Sequence, residues 1–197
     1  MMDLITGLAI QFWPMTTFII LVIIGFIINL FDKKKTDIIG FSYKDYPHLK
    51  PIRIPTKGKG FWGALRLWFF GTRHWEIAKD FHYRFSGEDL VIPKGFKFDG
   101  ASVPKFLAQF LSPVGVLLIG GLVHDYGYKY ETLLKKDGTT VGVKSQKWMD
   151  AVFRDINIEV NGFYFLNYLA YWALRIGGWV AWNKHRKVNA QIIDNKK

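Results

Sequence analysis

Residues 74–104 read HWEIAKDFHYRFSGEDLVIPKGFKFDGASVP, and this stretch predicts the class of the fold. Residues 74–85 partly alternate apolar with polar side chains and are rich in aromatic rings, a pattern that is typical of a β-strand. Gly87 indicates a turn, and residues 90–92 form a second short strand that ends at Pro93. We therefore expect a β-hairpin in this stretch, with helices after it.

Four helices are predicted downstream of the hairpin: one that opens at Ser102, one from Ser112 to Tyr130, one over residues 144–159 and one over residues 163–182. Ser102 suits an N-cap because its hydroxyl can accept a hydrogen bond from a backbone N–H of the first turn. Trp148, Val152 and Ile156 recur at helical spacing and would share one face. The sequence therefore predicts an α+β fold, with a small β-hairpin and about four helices in one globular domain.

The composition excludes several classes of protein. Apolar residues make up 50% of the chain and aromatic residues 17%, which argues against a disordered chain because there is ample material for a core. The absence of cysteine excludes disulfides and thiolate metal sites. The net charge of +11 predicts an anionic partner. Anionic membrane lipids are the favoured partner and nucleic acid is the competing one, while the sequence predicts no oligomeric state.

The N-terminal region contains a long apolar run, FWPMTTFIILVIIGFIINLF, at residues 12–31. At a rise of about 1.5 Å per residue, some 20 residues cross a hydrocarbon core of about 30 Å. A cleaved signal peptide is disfavoured because no basic segment precedes the run, and a buried core helix is the other alternative. Lys33, Lys34 and Lys35 follow the run, so the positive-inside rule places the body on the cytoplasmic side. We therefore predict a single-pass membrane protein.

These features predict three parts of the chain. Residues 1–35 are the membrane anchor with its basic flank, residues 36–72 are a linker, and residues 73–197 are the globular domain. Within the linker, residues 60–70 (GFWGALRLWFF) are either an aromatic segment at the lipid interface or a core element. The last predicted helix is apolar almost all round. Because Arg175 would cost about 2.5–3.5 kcal/mol at the centre of a bilayer, we expect a core or membrane-resting helix there and not a second crossing.

The sequence LVHDYGY at residues 122–128 contains the candidate site. His124 and Tyr128 are four residues apart, so they share a helix face. A neutral histidine has a pKa near 6.5 and can act as a base at physiological pH. The alternative is a buried polar network that fixes helix packing, since buried polar groups need partners.

Several motifs follow one another along the chain: Trp75, FHY at residues 81–83, IPKGF at residues 92–96, FDGASVP at residues 98–104 and HDYGY at residues 124–128. This ordered set resembles an uncharacterised family of phage and prophage proteins, domain of unknown function 1353, over about residues 74–182. The resemblance implies a phage or prophage origin, and with it an association with the virion. It implies no particular activity.

A shorter pattern, His124-Asp125-x-x-Tyr128 followed by Asp150, is similar to the motif of phospholipase A2. That resemblance implies that His124 is the general base for water, that Asp150 orients its imidazole and that Tyr128 supports Asp150. It also implies that Asp125 binds Ca²⁺. The glycine-rich calcium loop of that family is absent as such, and the comparable upstream element contains Asp99, which becomes the second candidate metal ligand.

Two leading interpretations of the function stay open, both for a membrane-anchored protein, and a tethered nucleic-acid binder is a third option. The first is a phospholipase A2-like lipid ester hydrolase that uses His124 and Asp150 with Ca²⁺. The second is a non-enzymatic structural or virion-associated protein whose His-Asp-Tyr cluster only stabilises the fold. A hydrolase needs His124 and Asp150 at the floor of a solvent-open cleft, whereas a structural role predicts them sealed in the core. A nucleic-acid binder would need a basic groove lined with aromatic rings.

Overall fold

The computed structural model describes residues 40–70, 74–99 and 115–194, together with scattered helical positions between residues 12 and 27. Apart from those scattered positions, the elements in chain order are β1 (Ser42–Tyr43), β2 (Leu49–Pro51), α1 (Gly60–Phe70), β3 (Trp75–Ile77), β4 (Phe81–Phe85), β5 (Glu88–Ile92), β6 (Lys97–Phe98), α2 (Leu118–Tyr130), β7 (Thr132–Leu134), β8 (Thr140–Gly142), α3 (Gln146–Asn161) and α4 (Tyr164–Asp194). Helices and small antiparallel sheets occur together, so the predicted α+β class is confirmed.

The predicted β-hairpin is formed by β4 and β5. Its predicted first strand, residues 74–85, is two strands in the structure, because β3 pairs with β2 and β6 and belongs to another sheet. Phe85 pairs with Glu88, which leaves Ser86 and Gly87 as a two-residue loop. Both loop residues have positive φ, 53° and 84°, as a type I′ turn requires to match the twist of its strands. Buried and exposed residues alternate along β4, and the buried ones face the core.

Short strands on either side of the hairpin extend its sheet and form a second sheet beside it in the chain order. β1 pairs with β4, so one sheet has the order β1-β4-β5, and β2 pairs with β3 in a second sheet of order β2-β3-β6. β1 and β2 belong to residues 36–72, the range predicted as a linker, and the position of that domain boundary stays a prediction. β7 and β8 form a separate antiparallel pair.

The helix ends follow from local capping. α2 ends at Tyr130, as predicted, and Glu131 caps it with a φ of 58°. The Ser145 hydroxyl accepts a hydrogen bond from the Trp148 N–H and so begins α3. Gly162 ends α3 with a φ of 67°, the conformation that glycine adopts without strain. The predicted helix at Ser102 lies outside the described residues.

The last helix is longer than predicted, because α4 continues well past residue 182 to Asp194.

α2 packs closely against α3, and glycine makes the approach possible. The backbone N–H of Gly120 donates to Asn157 Oδ1 at 3.1 Å, and an added Cβ at Gly120 would collide with the Asn157 side chain. The helices and the two sheets thus enclose one main apolar core.

The predicted single-pass membrane localisation is corrected by the structure. Over the described part of the chain, no helix is both long enough and apolar enough to cross a membrane. Half of the predicted span at residues 12–31 lies outside the described residues. An apolar run predicts a crossing only if it forms one continuous helix of about 20 residues, and hydropathy does not test that continuity. α4 has the length, but its sequence is interrupted by Arg175, Lys184, Arg186 and Lys187.

Candidate functional site

Three helices bring the predicted site residues together. α2 presents His124 and Tyr128 on one face, one helical turn apart, and their ring centroids lie 3.9 Å from each other. α3 places Asp150 opposite them, where its side chain is completely buried. α4 contributes Arg175 from the other side. We call these four residues the Asp150 cluster.

The carboxylate of Asp150 is the centre of this cluster. His124 Nε2 lies 3.0 Å from Oδ1, and the hydroxyl of Tyr128 donates to the same oxygen. Arg175 Nη1 donates to Oδ2 at 2.6 Å. Both carboxylate oxygens are therefore used, as a buried charge requires.

The pKa values follow from burial and from these contacts. Burial alone would lower the pKa of His124, but hydrogen bonds and charges from Asp125 and Asp150 outweigh it and raise the pKa. Burial would raise the pKa of Asp150, yet the three donors around it hold that pKa below the usual range. Burial, reinforced by Asp150, raises the pKa of Tyr128, so its hydroxyl stays neutral. The cluster is therefore a carboxylate held by a guanidinium, a phenol and an imidazole whose protonated form it stabilises.

Asp125 lies near Nδ1 of His124, the ring nitrogen that does not contact Asp150. Its Oδ1 is 3.5 Å from His124 Nδ1, while its Oδ2 is buried and has no hydrogen-bond partner among the residues that the structure describes. Burial raises the pKa of Asp125 to about 7, and the nearby Asp99 carboxylate adds to the rise while His124 opposes it. The two predicted metal ligands, Asp125 and Asp99, are thus neighbours in the fold.

Two carboxylates are few for a calcium ion, which takes six to eight oxygen ligands. In residues 40–70, 74–99 and 115–194, no group of three or more His, Asp and Glu side chains is placed to hold a metal ion. Asp125 and Asp99 are the residues that could contribute to such a site. The predicted Ca²⁺ stays a prediction.

The Asp150 cluster is sealed from solvent on the side of the histidine. Phe153 packs edge-on against the His124 ring at 5.5 Å between centroids. A cavity of about 630 Å³ opens instead on the sheet that contains β1 and β4, where Tyr43, Tyr46, His82 and Arg84 are among its lining residues. No member of the Asp150 cluster lines that cavity. The arrangement therefore suits buried ion pairs around Asp150 better than it suits contact between the His124 imidazole and a substrate.

The sequence alone did not identify the partner of Arg175. The available signal was a single charge within an apolar helix, and an isolated cation in such a place needs an anion. The sequence does not say which acid supplies it, because Asp150 and Arg175 are on different helices. Gly178, one turn further along α4, lies against the Tyr128 hydroxyl and leaves room for it.

Comparison with known proteins adds a family and no activity. The family described as "Protein of unknown function (DUF1353)" matches residues 75–174, about half of the chain. No curated protein and no solved structure matches the chain. The match confirms the first resemblance predicted from the sequence, whereas the similarity to phospholipase A2 has no support among these comparisons.

Proposed function

We propose, from the premise that this chain belongs to the DUF1353 family, that it is a non-enzymatic structural protein whose Asp150 cluster locks three helices together. The observation that carries this proposal is burial: the side chains of His124 and Asp150 are 2% and 0% exposed. A phospholipid ester would have to reach the imidazole for hydrolysis. The phage or prophage origin and the place in a virion that the resemblance implies belong to the same proposal.

The state of the His124 ring supports the structural role. A general base needs a ring nitrogen with a free lone pair, within about 2.6–3.2 Å of the proton that it takes. Both nitrogens of His124 face carboxylates, Asp150 at 3.0 Å and Asp125 at 3.5 Å. The raised pKa of His124 favours the doubly protonated ring. An imidazolium has no lone pair with which to activate water.

The first test compares two carboxylates of α3. Asp155 pairs with Arg154 at 2.7 Å, outside the cluster, which makes Asp155→Asn the matched control for Asp150→Asn. We expect Asp150→Asn to lower the free energy of unfolding by about 3–5 kcal/mol, because it leaves His124 and Arg175 without their anion. Asp155→Asn should cost clearly less. Chemical denaturation of the full chain measures both, and equal losses would contradict the proposal.

The second test addresses catalysis directly. Vesicles of labelled phospholipid, with Ca²⁺ or with chelator, report ester cleavage by the full chain. Cleavage that is lost in a folded His124→Gln variant would overturn the structural proposal in favour of the hydrolase. ¹⁵N NMR of the His124 ring supplies an independent readout. We expect both ring nitrogens to keep their protons to a higher pH than in an unperturbed histidine, and a ring that loses its proton at or below the usual pH would count against the proposal.

Cation binding at Asp125 is a second candidate function, favoured by its buried Oδ2, which has no partner within residues 40–70, 74–99 and 115–194. A bound cation would give this oxygen a partner, and Asp99 would supply a further carboxylate. Because a ligand that binds the folded state stabilises it, Ca²⁺ should raise the Tm of the unaltered chain but not that of Asp125→Asn. An unchanged Tm in the unaltered chain would dismiss this candidate.

A further inference from the structure

One face of α4 is apolar and open to solvent. The opposite face of the same helix is buried, and Ala170 and Leu174 pack there into a core cluster. The open face, which we call the α4 apolar face, consists of four side chains that are 56–77% exposed: Trp172, Ile176, Trp179 and Val180. Steps of four, three and one residue keep these four within a single stripe along the helix.

Such a stripe is informative because surface helices ordinarily bury their apolar side and expose their polar one. Single exposed apolar residues are common, but a contiguous patch indicates a surface that is covered by something else. The two tryptophans in the stripe indicate which kind of surface covers it. The indole ring is apolar with one polar N–H, and it is enriched where apolar and aqueous phases meet.

The charged side chains next to the stripe indicate the charge of the surface that it contacts. Lys184 and Lys187 follow Val180 on the next turns of α4, and both are exposed. The chain as a whole carries a net charge of +11, which opposes self-association and attracts an anionic surface. Aromatic and aliphatic residues with adjacent lysines are the composition of a helix that lies in the plane of an anionic lipid interface.

α1 repeats this composition independently. Phe61 and Trp62 are 73% and 77% exposed, and the preceding Lys57 and Lys59 are exposed as well. Arg66 lies one turn after Trp62 on the same helix face and is also exposed. Two unconnected helices of one chain thus combine open aromatic rings with cations.

We propose that the α4 apolar face rests on the surface of an anionic lipid bilayer, with the aromatic end of α1 as a second contact. The tryptophans and Ile176 enter the boundary between headgroups and acyl chains, and Lys184 and Lys187 face the anionic headgroups. This contact is peripheral and in the plane of the surface, so it requires no helix that crosses the bilayer. It goes beyond the structural role proposed above and does not depend on it.

A site-specific label tests the contact on the full chain. The chain contains no cysteine, so Ile176→Cys provides a single attachment point for a polarity-sensitive fluorophore. Tyr46→Cys is the matched control, because Tyr46 is 70% exposed and lies between β1 and β2, outside α4 and α1. With vesicles of phosphatidylglycerol, we expect a blue-shifted emission at position 176 and none at position 46. A shift at both positions, or at neither, would overturn the proposal.

Vesicle sedimentation measures how much the face contributes. We expect the double substitution of Ile176→Ser and Trp179→Ser to weaken binding at least about tenfold. Replacing Lys184 and Lys187 by alanine should weaken binding to anionic vesicles about fivefold for each lysine. Since all four residues are exposed, the variants should keep the Tm of the unaltered chain. Unchanged sedimentation of the double substitution would refute the proposal, as would ultracentrifugation showing that the face instead joins two copies of the chain.

Discussion

Arg175 decides whether the buried carboxylate of Asp150 is a stabilising group or a cost. Its guanidinium donates to Oδ2 at 2.6 Å, and its side chain is 27% exposed, so solvent screens part of its charge. We expect Arg175→Met to lower the free energy of unfolding by about 2–3 kcal/mol, somewhat less than the loss of a fully buried partner. Arg175→Lys should recover only part of this, because lysine lacks the planar fork. Urea denaturation measures both variants, and full stability of Arg175→Met would contradict the ion pair's role.

Asp125 gives the stability of the protein a pH dependence of known sign. Burial raises its folded pKa to about 7, whereas an aspartate in an unfolded chain titrates near 3.9. Between these values the folded state holds the proton more strongly, so this group makes stability fall as the pH rises from about 4 to 7. Asp125→Asn removes the titration. The Tm of the variant minus that of the unaltered chain should therefore increase between pH 5 and 8.

Calorimetry at several pH values checks that difference, and a flat difference would contradict burial as the cause. His124 adds a trend of the same direction, and Asp125→Asn weakens that trend because Asp125 helps to raise the pKa of His124. Because its folded pKa is raised, its contribution is complete below the unfolded value near 6.5 and is lost as the pH rises through the folded value. The difference between variant and unaltered chain therefore contains the Asp125 titration together with the part of the His124 trend that depends on Asp125, and both contributions have the same sign.

At the scale of the elements, two helix glycines with opposite surroundings test how tightly α2 and α3 pack. An added Cβ at Gly120 would meet the Asn157 side chain, whereas one at Gly177 of α4 would meet nothing within 4 Å. Alanine is favoured over glycine inside a helix by about 0.8–1.0 kcal/mol. We therefore expect Gly177→Ala to stabilise by about 0.5–1 kcal/mol and Gly120→Ala to destabilise by about 1–3 kcal/mol. Thermal or urea unfolding measures the stability of both variants. A stabilised Gly120→Ala variant would mean that the Asn157 side chain moves aside.

The elements that sequence reasoning identified are those with a strong local signal. The β4–β5 hairpin has alternating side chains and Gly87, and α3 has its Ser145 cap and its Gly162 end. β1 and β2 were not identified, because strands of two and three residues are too short to show a period of two. They are held by pairing with distant strands, which no local pattern contains. For the site, helical spacing placed His124 and Tyr128 together, but the burial of the cluster depends on three helices at once.

At the scale of the whole molecule, the domain is completed by segments on both sides of residues 75–174, the range that matches the family. Before residue 75, β1 and β2 pair with β4 and β3, and the backbone N–H of Phe41 donates to Glu159 Oε1 on α3 at 3.2 Å. After residue 174 come Arg175, which neutralises Asp150, and Asn189, which donates to the Lys129 carbonyl at 3.1 Å. The matched segment thus contains the buried acid but not its guanidinium partner.

A fragment of residues 75–174 should therefore be far less stable than one of residues 40–194. The shorter fragment lacks β1 and β2, so β4 and β3 each lose one of their two pairing strands. It also buries Asp150 without Arg175, a loss that alone is worth about 2–3 kcal/mol or more. We expect the longer fragment to unfold in one cooperative urea transition and the shorter one to show little or no transition by circular dichroism. Adding Arg175→Met to the longer fragment separates the two causes, because it removes the ion pair and keeps every strand. If both fragments unfold at the same urea concentration, the flanking strands and the ion pair contribute nothing to stability, and the structural role of the Asp150 cluster falls with them.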